Sequence, residues 1–395
     1  MLSANTGEGH NSCAKAIKEV FDLKGEVCVL EDGLRFISDR TSRFLSWGHV
    51  FVYRNLPWLF NFGYGFTERH ASSFRENSTL YNFLAKGADE LYKYIVRGTF
   101  DTVIAAHPFT AVMLTAMQRK YLLPIKTAFV ATDYTCSPSV KDSDLDLYFI
   151  PDEKVAREFL SPHIPKEKMV VSGIPIRQMF YKSTEKDKVK TAVGVPTHHK
   201  HLVMMCGSMG CGPIEKLTSI LTDRQKDNFT LTVVCGTNEK LKARLEAKYG
   251  SRKNLRIKGF VTDMSLLLDS ADLYLTKAGG ISVSEAATKH LPMVFIKAVA
   301  GCEEYNSQFF AEYGCYLKGN TANEIANIVT SLFDDVNNKG TIFAAIKMLE
   351  QLYKNGHIPS HVLRNVIDEY AAQIDTSSFL CCESIGIKKA EDQYV

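Results

Sequence analysis

Gly279 and Gly280 stand directly after the apolar run Leu273-Tyr274-Leu275-Thr276 and shortly before Ser282-Val283-Ser284-Glu285-Ala286. That order reads as a strand turning sharply into a helix. Glycines permit the turn without Cβ clashes, and the unpaired N–H groups of a helix start, together with the helix dipole, favour an anion such as a phosphate. Glu285 lies about one turn further in, where a carboxylate can accept hydrogen bonds from paired ribose hydroxyls. The same fragment also serves as a tight turn without a ligand. A second junction changes the reading. His201-Leu202-Val203-Met204-Met205-Cys206 leads into Gly207-Ser208-Met209-Gly210-Cys211-Gly212-Pro213, after which Ile214, Leu217, Ile220 and Leu221 recur at helical spacing. In a parallel sheet both loops open at the carboxyl ends of strands, where α/β folds bind ligands, so a diphosphate held between them is expected. No lysine follows in the pattern of a P-loop, which disfavours a nucleoside triphosphatase.

The chain starts with another glycine turn, Thr6-Gly7-Glu8-Gly9-His10-Asn11-Ser12, ahead of Ala14, Ile17, Val20 and Phe21 at helical spacing. Asn11 or Ser12 is expected to cap that helix, leaving His10 at its mouth. A histidine there suits general-base chemistry on a hydroxyl nucleophile, because its pKa lies near working pH. It suits an ordinary hydrogen bond at the helix start equally well. Between Arg35 and Arg75, aromatic residues including Phe44, Trp47, Phe51 and Trp58 alternate with Arg40, Arg43, Arg54 and Arg69. Rings that enter a headgroup boundary and arginines that meet anionic lipid make Trp47, Trp58, Arg43 and Arg54 candidates for an anionic membrane surface. The alternative is an aromatic core under a long loop. Nucleic acid is disfavoured, since lysines are scarce here and no RNA-binding signature appears.

These residues must be positioned by an alternation of strands and helices. Strand candidates in the first half are 26–31, 101–106, 126–132, 147–150 and 169–172, with a long helical pattern over 80–96. In the second half they are 202–206, 230–235, 255–258, 272–276 and 293–297. The alternation predicts an α/β protein with two doubly wound parallel sheets. The division is a first domain over 1–180, a polar lysine-rich linker over 181–200, a second domain over 201–358, a closing helix over 359–375 that packs back on the first domain, and a frayed tail over 376–395. A length of 395 residues and a hydrophobic content of 45% suffice for two substantial cores. The net charge of +3 selects no partner. No apolar run of membrane-spanning length and no signal-peptide pattern is visible, so a cytosolic location is expected. The ten cysteines show no zinc-site spacing and read as reduced thiols.

Nearly the whole chain resembles the diacylglycerol glycosyltransferases related to monogalactosyldiacylglycerol synthase, in glycosyltransferase family 28. The resemblance is carried by Thr6 to Ser12, His107-Pro108-Phe109, Thr132-Asp133-Tyr134, Ser172-Gly173-Ile174-Pro175-Ile176-Arg177, Gly207-Ser208-Met209-Gly210, Gly259-Phe260-Val261, Thr276 to Ala286, and Gly301-Cys302-Glu303-Glu304-Tyr305-Asn306. It implies a GT-B fold, two Rossmann-like domains facing a cleft, with a UDP-sugar on the C-terminal domain and the lipid acceptor and membrane on the N-terminal one. It further implies that Gly207, Ser208 and Gly210 line the donor site, that Gly279 and Gly280 meet the diphosphate, and that Glu285 holds the ribose. Phe260 and Val261 would meet the uracil, Glu303 the sugar hydroxyls, Asn306 would belong to the donor site, and His10 would meet the acceptor hydroxyl. His107 and Asp133 fall at strand ends facing the same cleft. The implied reaction is an inverting transfer of glucose or galactose from UDP-glucose or UDP-galactose to diacylglycerol, at the cytosolic membrane face, with no metal and no cofactor. The chain departs from the family pattern at Cys302, where a glutamine is usual, at Val140, where a tryptophan is usual, and at Met1 to Ala4, a short counterpart of the family's first strand. The last departure implies either an upstream start or a weakened first sheet. The alternatives are a noncatalytic relative that binds nucleotide or lipid, and a transferase to a polyprenyl or sterol-like lipid.

Overall fold

The structure, a computed structural model, describes residues 1–56, 58–59, 62–63, 65, 69, 74–224, 228–297, 301–312 and 316–334. The expected closing helix 359–375 and tail 376–395 lie outside the described residues. Six parallel strands form the first sheet: β1 (Leu2–Ser3), β2 (Glu31–Asp32), β3 (Thr102–Ala105), β4 (Lys126–Val130), β5 (Leu147–Ile150) and β6 (Met169–Val171), in the order β2-β1-β3-β4-β5-β6. The second holds β7 (Lys200–Met205), β8 (Phe229–Val234), β9 (Leu255–Lys258), β10 (Leu273–Thr276), β11 (Met293–Ile296) and β12 (Tyr316–Gly319), ordered β12-β11-β10-β7-β8-β9. Helices fill the crossovers, as parallel pairing demands. Strands covered on both faces read as unbroken apolar or β-branched runs, and every residue of β8, Phe229-Thr230-Leu231-Thr232-Val233-Val234, is buried.

Several elements differ from the sequence-based expectation. The candidate strand over 26–31 pairs only at its end. Its neighbour β1 offers two rungs, Leu2 to Glu31 and Ser3 to Asp32, so the ladder stops there. The helical pattern over 80–96 divides into Thr79–Ala85 and Ala88–Gly98. Gly87 lies between them against Met113, whose Sδ would be 2.7 Å from an added Cβ. The edge strand β12 adds a sixth member that the apolar patterning did not single out. Within the lysine-rich stretch 181–200, residues Lys186–Ala192 form a helix docked on the second sheet. Its Lys190 ammonium is buried, donating to the His199 carbonyl at 2.7 Å and to Asp272 Oδ2 at 3.0 Å.

Each sheet has its own apolar core, and a third cluster joins the two lobes. It packs Cys13, Val130, Tyr134, Ile174 and Phe180 against Tyr274, Ile281, Val283, Phe295 and Phe310. The lobes therefore meet through an apolar seam behind the cleft, with the strand ends of both sheets left to face each other across it.

Candidate active site

A cleft of about 750 Å³ lies between the lobes, and His10, Asp133, Gly207, Gly280, Glu285 and Glu303 all line it. The helix Glu8–Leu23 starts one glycine before Glu8, with Gly7 as its cap residue and no side-chain cap. Asn11 and Ser12 thus sit inside the helix and not at its cap. Asn11 Oδ1 instead accepts from the Ser3 hydroxyl at 2.7 Å, tying the helix to β1. His10, in the first turn, has Nδ1 at 2.9 Å from the Ala106 carbonyl and 2.9 Å from Thr132 Oγ1. A carbonyl only accepts, so Nδ1 carries the proton and the lone pair resides on Nε2. Burial pushes the His10 pKa down, against the pull of the Asp133 charge and the Ala106 carbonyl. The neutral imidazole is the form a base requires.

His107 has the opposite tautomer. Its Nδ1 accepts the Phe109 N–H at 3.1 Å as the N-cap of helix Pro108–Tyr121, so Nε2 carries the proton and bonds Thr6 Oγ1 at 3.0 Å. The two rings meet edge to face with centroids 4.4 Å apart. With both nitrogens engaged, His107 holds the Thr6-Gly7 turn in place and has no lone pair to spare. Asp133, three residues past β4, reaches the other lobe: its Oδ1 accepts from Asn306 Nδ2 at 2.7 Å, and the nearby Gly280 amide helps hold its charge. Burial raises its pKa while His10, Asn306 and that amide oppose the rise. An acidic side chain of the first lobe thus rests on the helix N-terminus where a phosphate is expected. Gly280 is there because of that approach, since a Cβ would lie 2.1 Å from the Thr132 carbonyl oxygen.

The second lobe builds its wall from loops after β7, β8, β9 and β10. Gly207 and Ser208 line the cleft, Gly207 with φ of +73°. Gly210 sits behind them as a packing residue. Its φ is +58°, and an added Cβ would come within 2.1 Å of the Cys235 carbonyl. Gly279, Phe260 and Val261 line the cleft, the Phe260 ring being exposed. Glu285 is buried, and loss of water around its carboxyl pushes the pKa up to about 8, with Arg177 opposing. Cys302 also lines the cleft, its thiol held neutral by burial and by the nearby Asp133 and Glu303 charges.

Three features escaped sequence reasoning. Lys277 adjoins the glycine pair, and its ammonium donates to both Tyr53 Oη and Glu303 Oε1. Burial works against that charge, yet Glu303 and Tyr53 outweigh it and raise the lysine pKa. Tyr53 comes from the aromatic helix Asp39–Asn55 of the first lobe and donates its own hydroxyl hydrogen to Glu303 Oε1 at 2.7 Å. Asn306, expected in the donor site, stands fully buried behind the wall: its Nδ2 donates to Asp133 Oδ1 and the Ala278 carbonyl, and its Oδ1 accepts the Tyr134 N–H at 2.6 Å. Its amide is spent on joining the lobes. A signal for Lys277 existed in its place beside Gly279. The other two contacts bridge positions far apart in the chain and had none.

On the aromatic segment, Phe44, Trp47 and Trp58 are 68%, 62% and 66% exposed, and Arg43 is exposed beside them. Arg54 departs from the expected lipid-facing role. Its guanidinium crosses to the second lobe, donating to the Met209 carbonyl at 3.1 Å and Thr237 Oγ1 at 2.7 Å. The segment's further aromatic residues Phe60, Tyr64 and Phe66 lie outside the described residues. No helix among the described residues is long and apolar enough to cross a membrane.

Residues 10–176 match the family model of monogalactosyldiacylglycerol synthase, and residues 201–355 match that of the glycosyltransferase family 28 C-terminal domain. The chain is 27% identical over 352 residues to monogalactosyldiacylglycerol synthase 1, chloroplastic, of Arabidopsis thaliana, covering 84% of this chain and 64% of that protein. It is 26% identical over 355 residues to the processive diacylglycerol beta-glucosyltransferase of Bacillus licheniformis, covering 85% and 86%. The chain therefore spans about 64% of the length of the plant relatives. Among solved structures, MurG of Acinetobacter baumannii aligns with a TM-score of 0.55 at 14% identity, covering 94% of this chain and 98% of that one. Spinosyn rhamnosyltransferase SpnG aligns with a TM-score of 0.56 at 11% identity, covering 92% and 98%. At such identities the structural likeness speaks for the fold alone.

Proposed function

Because the chain belongs to the diacylglycerol glycosyltransferases of family 28 and has their GT-B fold, we propose that it transfers a hexose, glucose or galactose, from its UDP-sugar to diacylglycerol with inversion at the anomeric carbon. The observation that carries this reading is the tautomer of His10: an Nδ1 proton committed to the Ala106 carbonyl leaves Nε2 as a neutral base in the cleft. In the proposed step Nε2 takes the proton of the acceptor hydroxyl. The hydroxyl oxygen forms the new bond to the anomeric carbon as the bond to the β-phosphate oxygen breaks, and UDP leaves with the electron pair. Amide donors at Gly207, Ser208 and Gly280, beside the Lys277 ammonium, are placed to stabilise the charge that grows on the departing diphosphate, while the Gly279 N–H closes the turn on the Lys277 carbonyl. For the Gly280 amide to serve, Asp133 must first withdraw from it. Glu285 accepts the ribose hydroxyls, Phe260 and Val261 flank the base, and Glu303 reads the hexose.

The acceptor is drawn from a bilayer that the exposed Phe44, Trp47 and Trp58 enter, with Arg43 at the headgroups. We place the enzyme as a peripheral protein on the cytosolic face. The test uses purified protein, vesicles containing diacylglycerol and anionic lipid, and UDP-glucose or UDP-galactose in separate reactions. A β-linked hexosyl diacylglycerol from one donor, lost in His10→Ala, is the expected result. Measurable UDP binding with no transfer from either donor would leave a nucleotide-binding relative without this activity.

A further inference from the structure

The helix Asp39–Asn55 has two faces with different surroundings. Residues in a helix advance about 100° each, so Phe44, Trp47 and Phe51 share one exposed stripe while Ser42, His49 and Tyr53 share the opposite side. Trp47 and Phe51 stack on the exposed stripe with centroids 5.2 Å apart. On the inner side, His49 and Tyr53 line the cleft, and the Tyr53 hydroxyl reaches across it to Glu303 of the second lobe. The Lys277 ammonium lies 4.7 Å from the Tyr53 ring centroid as well as bonding its hydroxyl. Arg54, the next residue, fastens the helix end to the loops after β7 and β8. Tyr53, Lys277 and Glu303 thus form one interlocked unit, drawn from both lobes, in which Oε1 of the carboxylate takes both hydrogen bonds.

We propose that Tyr53 is a specificity-determining positioning residue supplied by the acceptor lobe, whose hydroxyl, with Lys277, fixes the Glu303 carboxylate in the orientation that recognises hexose hydroxyls of the donor. The inference rests on the donor-site reading given above. A carboxylate held by two donors at Oε1 cannot rotate without breaking both bonds, so it presents its acceptor lone pairs in a fixed orientation to hexose hydroxyl donors. Tyr53 does not itself touch the sugar. It acts through Glu303, to which Lys277 keeps its own bond when the tyrosine hydroxyl is lost, at the hexose end of the ligand. UDP lacks that end, which separates this role from a general structural one.

The test is calorimetric titration of the full chain with UDP and with UDP-glucose and UDP-galactose, for the wild type, Tyr53→Phe, Glu303→Gln and the double variant. Phenylalanine keeps the ring over Lys277 and deletes the hydroxyl. Tyr53→Phe is expected to weaken the preferred UDP-hexose about tenfold, as for loss of a hydrogen bond to a charged group, and to narrow the glucose-to-galactose ratio, with UDP affinity unchanged. Because Tyr53 works through Glu303, the double variant should bind UDP-hexose no worse than Glu303→Gln alone. Equal weakening of UDP and UDP-hexose, no change in either, or additive losses in the double variant would each overturn the assignment. A wild-type chain that binds none of the three ligands would overturn the donor-site reading, and this inference with it.

Discussion

Which ring nitrogen keeps its lone pair separates the two cleft histidines. His10 is pinned through Nδ1 to a carbonyl, whereas His107 spends both nitrogens on Phe109 and Thr6. His10→Ala should therefore lower kcat by about 10² to 10⁴, the usual range for a positioned base, with UDP affinity intact; a kcat within tenfold of wild type would remove His10 from the reaction. Since burial lowers the His10 pKa, the acid limb of the pH–rate profile should fall below the ordinary histidine value. Glu285 makes a separate pH prediction. Its folded pKa of about 8 lies above the ordinary carboxylate value, so between the two the folded state holds the extra proton. Its contribution to stability is complete below the unfolded pKa and is lost as pH rises through about 8. Glu285→Gln should abolish that loss, so its melting temperature should gain on the wild type from pH 5 up to about 8 and level off above it. A constant difference across that range would show that Glu285 is not buried as described. The positions of His10 and Glu285 were readable from their glycine turns. The tautomers were not, because the partner carbonyl and hydroxyl lie 96 and 122 positions away from His10.

At the scale of single elements, the helix Asp39–Asn55 turns one aromatic stripe outward while Tyr53 and Arg54 grip the second lobe. Changing Phe44 and Trp47 together to Ser removes two large exposed rings, of which Trp47 stacks on Phe51 in the same outward stripe. Their insertion into a bilayer is worth roughly 1.5–3 kcal/mol each, so vesicle sedimentation should fall at least tenfold, while the melting temperature stays close to that of wild type. Unaltered sedimentation would identify the stripe as a protein-facing surface. The strand–glycine–helix junctions at Gly207 and Gly279 were legible because apolar runs end in glycines that only sharp turns require. The break at Gly87 was not, because the periodicity of Leu80 to Val96 continues across it and the crowding against Met113 is tertiary. Arg54 was misread for a similar reason. Its composition context is that of a lipid-facing arginine, but the loops it meets come from beyond position 200.

Beside the apolar seam, polar contacts at the cleft floor also join the lobes, and Asn306 is central to them. Its one amide satisfies the Tyr134 N–H, Asp133 Oδ1 and the Ala278 carbonyl, while Tyr134 Oη meets Ser284 Oγ at 2.9 Å alongside. Asp133 simultaneously covers the Gly280 amide, so the arrangement is one in which the first lobe supplies the anion for the helix N-terminus. On the proposed reading a diphosphate competes for that amide, and its arrival is expected to loosen the seam at this point. Asn306→Ala leaves buried polar partners unsatisfied, at a cost of about 1–3 kcal/mol for each, and removes the hold on Asp133. The variant should unfold at lower urea and give a larger radius of gyration by small-angle scattering than the wild type without ligand. Saturating UDP should compact the wild type and the variant to different extents, since only in the wild type does the nucleotide first displace a carboxylate held in place by Asn306. Identical scattering profiles for the two proteins, with and without UDP, would mean that the apolar seam alone sets the separation of the lobes.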